Sequence, residues 1–80
     1  MRFLIKVMYK EGILDPEQKT ILHSIKMLGY DKVLNLETGK MFFLDIDCIN
    51  EEEGYKIAGE ISSRLLSNPN IERFEVEKVL

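Results

Sequence analysis

From Arg2 to Lys10 the side chains alternate: Phe3, Ile5, Val7 and Tyr9 fall on one side, Leu4, Lys6 and Met8 on the other. A period of two predicts a strand, because successive side chains of extended backbone point to opposite faces. From Asp15 the period lengthens. Ile21, Ile25 and Leu28 recur at i, i+4 and i+7 with Leu22 on the flank, the apolar stripe of an amphipathic helix. Its start is well signalled: Asp15 suits the N-cap, Pro16 the first helical position, and Gln18 completes a capping-box spacing. Gly29 fits the left-handed position that stops a helix.

Lys32 to Thr38 predicts a second strand, and Gly39-Lys40 matches the Gly-X pair of a type II′ hairpin, so Met41 to Ile49 is expected to return antiparallel. Along that third strand Phe42, Leu44, Ile46 and Cys48 share one face; Met41, Phe43, Asp45 and Asp47 share the other. Asn50 then caps a second helix, with Glu53 at the capping-box spacing and Glu51 to Glu53 complementing the helix dipole. Its expected stripe is Tyr55, Ala58, Ile61, Leu65 and Leu66, with Lys56, Glu60, Ser63 and Arg64 on the wet side. Asn68-Pro69 ends it, and Ile71 to Val79 supplies the last strand.

The resulting order is β-α-β-β-α-β. It predicts an α+β, two-layer, ferredoxin-like fold over a single domain, residues 1–80, with both helices on one face of an antiparallel sheet. Leu4, Met8, Met41 and Phe43 point away from the side assigned to the helices. An uncovered apolar patch of this kind marks an interface, so these four are the self-association candidates.

Composition narrows the function. Lys and Arg number 11 against 14 Asp and Glu, a net charge of -3, which argues against a nucleic-acid backbone as partner. With 45% hydrophobic and 31% charged residues the chain is too apolar for a disordered one. A domain this small buries about 60–65% of its unfolded surface, so its own core is marginal and oligomers are expected. No apolar run reaches membrane-spanning length and no leader pattern opens the chain. The single cysteine, Cys48, permits no intrachain disulfide and suits a reducing cytoplasm, the expected location.

Catalytic chemistry is thin. His23 falls opposite the first helix's stripe and Cys48 on the apolar face of a strand, which separates the one cysteine-histidine pair available and makes Cys48 a small core hydrophobe. Asp45 and Asp47 share a strand face near Glu51 to Glu53, but solvent-facing acids and first-turn glutamates need no metal to explain them. The five glycines are scattered and form no phosphate-cradling loop. Three tyrosines and four phenylalanines do not form a base-stacking platform. No catalytic, cofactor-binding or metal residue is therefore assigned. What stands out is an apolar loop, Gly12-Ile13-Leu14, beside the rigid helix entry at Asp15-Pro16. Leu14 can fold back as a hydrophobic staple; Ile13 is then left over for docking.

These segments carry a family likeness. K-E-G-I-L-D-P-E at 10–17, L-G-Y at 28–30, G-K at 39–40 and L-L-S-N-P-N-I-E-R-F-E-V at 65–76 together resemble the PurS family, the small subunit of phosphoribosylformylglycinamidine synthase. Many relatives carry a glycine two residues after the loop proline, where this chain has Gln18. The resemblance implies a small, non-catalytic subunit of a glutamine-hydrolysing carbon-nitrogen ligase in purine biosynthesis. In it a glutaminase subunit releases ammonia, and a synthetase subunit holding ATP and Mg installs it on formylglycinamide ribonucleotide. The small subunit would bridge the two and form dimers or tetramers. The partner-interface candidates are Lys10, Gly12, Ile13, Leu14, Asp15, Pro16, Gly39 and Lys40. The order also resembles ligand-sensing modules of the ACT type, whose amino-acid site lies at a glycine-bearing loop before the first helix. The acidic cap at Asp15 argues against that alternative.

Overall fold

A computed structural model describes residues 1–80. The elements are β1 (Arg2–Tyr9), α1 (Pro16–Met27), β2 (Gly39–Asp45), α2 (Glu51–Ile61), a π-helical turn (Ser62–Leu66) and β3 (Glu72–Lys78). The strands form one antiparallel sheet in the order β2-β1-β3. In the ladders Ile5 lies opposite Phe42 on one side and Val76 on the other, and Val7 opposite Lys40 and Phe74. Phe3, Ile5 and Val7 are fully buried beneath Ala58 of α2, with Phe42, Leu44, Phe74 and Val76 packed around them. The predicted alternation of β1 is therefore the core itself.

Gly54 lets α2 approach so closely. A Cβ there would lie 2.3 Å from Phe3 Cζ, a distance no real side chain tolerates. The next residue, Tyr55, stacks edge-on against Phe3, ring centroids 5.1 Å apart, and its hydroxyl accepts from the Lys78 amide at 3.0 Å. The Asn50 cap forms as expected: its side chain accepts from the Glu53 amide at 2.9 Å, while Glu53 reaches back to the Ile49 amide at 3.0 Å. Further along, the stripe departs from expectation. Gly54, Ala58 and Ser62 are buried and Leu66 packs on the core, a strict spacing of four, while Leu65 is 78% exposed. The π-helical turn explains this, since its extra residue per turn undoes the drift of a 3.6-residue helix and keeps every fourth residue on the sheet. Ser62 sits there without cost because its hydroxyl donates to the Ala58 carbonyl at 2.7 Å.

The segment between α1 and β2 differs from expectation. Residues 32–38 join no ladder, so the sheet has three strands where the sequence predicts a fourth position. The Gly39-Lys40 hairpin is also absent. A type II′ turn needs positive φ at its glycine, and Gly12 and Gly29 alone have it. Gly39 instead opens β2 opposite Met8, where a Cβ would lie 2.6 Å from the Val7 carbonyl oxygen. It is a glycine for close strand approach rather than for turning.

Nor do both helices cover the sheet. α2 packs on β1 and β3, but α1 has no buried residue. Residues 10–38 form an arm that leaves the sheet at the end of β1 and returns at the start of β2, giving the chain extents of 51 × 26 × 14 Å. Amphipathic pattern and good caps are enough to make α1 a helix; they do not by themselves determine what covers its stripe.

Candidate docking site

The opening loop is set by three local devices. The Lys10 amide donates to the Ile71 carbonyl at 2.9 Å, extending the β1–β3 ladder past Tyr9. The Ile13 amide then donates to the Lys10 carbonyl at 3.2 Å, closing a turn whose third residue, Gly12, has φ 85. That positive φ is what a type II turn demands of its third position, and glycine meets it without strain. Asp15 follows in extended conformation and caps α1, its side chain accepting from the Glu17 amide at 3.1 Å.

Gln18 does not close a capping box. Its side-chain amide donates to Thr38 Oγ1 at 3.3 Å, and that hydroxyl donates to Asp15 Oδ2 at 3.4 Å. The helix entry is thus braced against the last residue before β2. Leu14 does not staple: it is 75% exposed, and Ile13 beside it is exposed too, at 36%.

Lys10, Gly12, Ile13, Leu14 and Asp15 line a cleft of about 530 Å³ in the crook between body and arm, together with Leu22, Asn35 to Thr38 and Arg73. Asp15 also lines a smaller cleft of about 160 Å³ with Gly39 and Lys40. Seven of the eight candidate residues therefore gather at one joint, and Pro16 begins the helix above it. Sequence reading missed Thr38, the bracing role of Gln18, and Arg73, which arrives from β3. No local pattern marks them; each depends on contacts remote in sequence.

The charged side chains at the joint are mixed in sign. Lys10, Lys19 and Arg73 are interspersed with Glu11, Asp15 and Glu37, so no one sign of charge is concentrated for a phosphate. No three His, Cys, Asp or Glu side chains converge as metal ligands. His23 is exposed on α1, and Cys48 is half-buried beside Gly54.

The four self-association candidates share the sheet face opposite α2, in a setting more polar than alternation alone implies. Leu4 is 8% exposed, Arg2 lies over the Phe43 ring at 4.4 Å, and Arg73 donates to the Met8 sulfur at 3.5 Å. Met41 remains well exposed. Ion pairs cross the same face: Arg2–Asp45 at 4.0 Å, Lys6–Glu77 at 3.9 Å and Arg73–Glu75 at 3.2 Å.

Comparison with known proteins gives one consistent result. The family described as PurS, phosphoribosylformylglycinamidine (FGAM) synthase, matches residues 2–79. The phosphoribosylformylglycinamidine synthase subunit PurS of Archaeoglobus fulgidus is 34% identical over 67 residues, 84% of this chain and 84% of that one. The crystal structure of Methanocaldococcus jannaschii PurS, a subunit of formylglycinamide ribonucleotide amidotransferase, superposes with TM-score 0.86 at 32% identity, covering 99% and 98% of the two chains. A chain in the structure of PurLQS from Thermotoga maritima superposes with TM-score 0.89 at 31% identity, covering 98% and 95%.

Proposed function

The chain belongs to the PurS family, the small subunit of the glutamine-dependent ligase phosphoribosylformylglycinamidine synthase, and on that premise we propose that it works as a bridge. It holds a glutaminase subunit beside a synthetase subunit so that ammonia passes between them, and it carries no step of the chemistry itself. ATP and Mg belong to the synthetase in this reading. The assembly is cytoplasmic, and the chain associates with itself within it. A bridge acts by raising local concentration and fixing orientation, both of which accelerate transfer without a nucleophile or base on the bridging chain.

One observation carries the reading: the candidate residues gather at a joint with an exposed Leu14, mixed charges and no converging catalytic set. The ACT-like alternative fits less well. An amino-acid carboxylate would have to sit at the start of α1, where the Asp15 carboxylate already accepts from the Glu17 amide.

The test compares two ammonia sources. Added to the glutaminase and synthetase subunits, this chain should switch on glutamine-dependent synthesis of formylglycinamidine ribonucleotide. Synthesis driven by ammonium salts should depend on it far less, because free ammonia needs no bridge. Leu14→Ser should weaken assembly with those subunits while leaving the chain's own melting temperature nearly unchanged. Equal glutamine-dependent rates with and without the chain would end the bridging reading.

A further inference from the structure

The arm is tied to the rest of its own chain by very little. Its last fixed point on the first side is the Lys10 amide, which donates to the Ile71 carbonyl; beyond it no hydrogen bond joins residues 11–38 to the sheet or to α2. α1 buries no residue. The first connection also holds the residue freest to turn. Gly12, at φ 85, has no atom within 4 Å of where a Cβ would lie. A glycine in open space is where a hinge costs least.

One hydroxyl opposes that hinge. Thr38 Oγ1 accepts from the Gln18 side-chain amide at 3.3 Å and donates to Asp15 Oδ2 at 3.4 Å. These are the only hydrogen bonds between residues 11–28 and residues 32–38. The Asp15 carboxylate divides between two tasks: Oδ1 takes the Glu17 amide and caps α1, leaving Oδ2 for Thr38. Asp15, Gln18 and Thr38 are each half-buried, while the residues on either side of each are exposed. Thr38 is also the neighbour of Gly39, which the ladder fixes opposite Met8. The start of α1 is therefore tied to a point one residue from the sheet.

We infer that Thr38 is a positioning residue of the docking site. Its hydroxyl latches the first turn of α1, and with it the Gly12–Leu14 loop, at one angle to the body, so the cleft of about 530 Å³ meets a partner already formed. A hydroxyl suits the place because it donates and accepts at one atom, joining an amide donor to a carboxylate acceptor. Serine keeps both capacities; valine, of nearly the same shape as threonine, has neither. A loop ordered in advance spares the complex the cost of ordering it on binding. The purpose of the latch rests on the bridging reading, whereas the latch itself belongs to this chain.

The test measures the angle first. In a Cys48→Ala background, spin labels at His23→Cys on the arm and Glu60→Cys on α2 report the distance between arm and body. Labelled copies are refolded among an excess of unlabelled ones, so that only distances within one chain are read by pulsed electron resonance. The expected result is one narrow distribution for the parent, a broadened one for Thr38→Val, and a narrow one again for Thr38→Ser. Gln18→Ala, which leaves the flank of β2 untouched, should broaden it too and decides the question where Thr38→Val unfolds. A broad parent distribution, or variants as narrow as the parent, overturns the latch. Each chain is then titrated into the glutaminase and synthetase subunits. Thr38→Val should raise the concentration giving half-maximal glutamine-dependent synthesis roughly two- to tenfold, the usual cost of ordering a loop on binding, with the plateau rate unchanged and Thr38→Ser like the parent. An unchanged midpoint overturns the positioning role. Loss of all dependence on the chain would instead strike the bridging reading, and the distance measurement judges the latch without it.

Discussion

Phe3, Ile5, Val7 and Ala58 in the body are inaccessible to water, whereas none of the twelve residues of α1 is buried. Both regions have the apolar periodicity their secondary structure requires, and both have well-made caps. The difference lies in where the partner surface sits. In the body, β1 is flanked by β2 and β3 and roofed by α2, so its alternation is satisfied within one chain. In the arm the stripe finds no equivalent cover. Periodicity therefore reports that a face is to be covered; it does not report by what.

Three substitutions probe this contrast. The largest effect is expected at Phe3, which meets Ala58, Tyr55 and the close approach at Gly54. Phe3→Ala should cost about 3–5 kcal/mol in urea unfolding, through lost burial and the cavity left behind. A loss below about 1 kcal/mol would mean that the body is not the stable unit. Next comes Gly54→Ala. Better helix propensity favours alanine by up to about 1 kcal/mol, but the new methyl group must displace the Phe3 ring. Overpacking of that kind costs about 1–3 kcal/mol, so a lower melting temperature is expected, and a higher one would show that α2 has room to lift.

The smallest effect belongs to the arm. Asp15→Ala removes the acceptor for the Glu17 amide and should cost about 1 kcal/mol. Hydrogen exchange should locate the loss in the first turn of α1, with the amides of β1 and β3 protected as before. Equal loosening of the central strand would erase the distinction between the two regions.

Much of this fold was legible in the sequence. The strand at 2–9, both helix starts and the inward set Phe42, Leu44, Ile46 and Cys48 follow from periodicity and caps, which are local. Three features were not. Gly39 looks like a hairpin glycine because a turn and a close strand contact favour the same residue, and φ alone separates them. Leu65 looks like core because a 3.6-residue period places it there, and the π-helical turn then rotates it out. The bracing of Asp15 by Thr38 and Gln18 joins residues some twenty positions apart, which no local pattern contains. Of the docking site, the loop and its cap were readable; Arg73 and Thr38 were not.

The two edges of the sheet differ in a way that bears on solubility. β3 presents Glu72, Arg73, Glu75, Glu77 and Lys78, five charged residues in a strand of seven. Charges so dense discourage another sheet from stacking on edgewise, since pairing would strip water from them. β2 has charge mainly at its ends, Lys40 and Asp45, with Met41 to Leu44 between. One edge is guarded against strand addition and the other is receptive. A chain so built has a single growing end, and once that end is capped no ribbon can lengthen. By this asymmetry, strand addition is expected at the β2 edge rather than at β3.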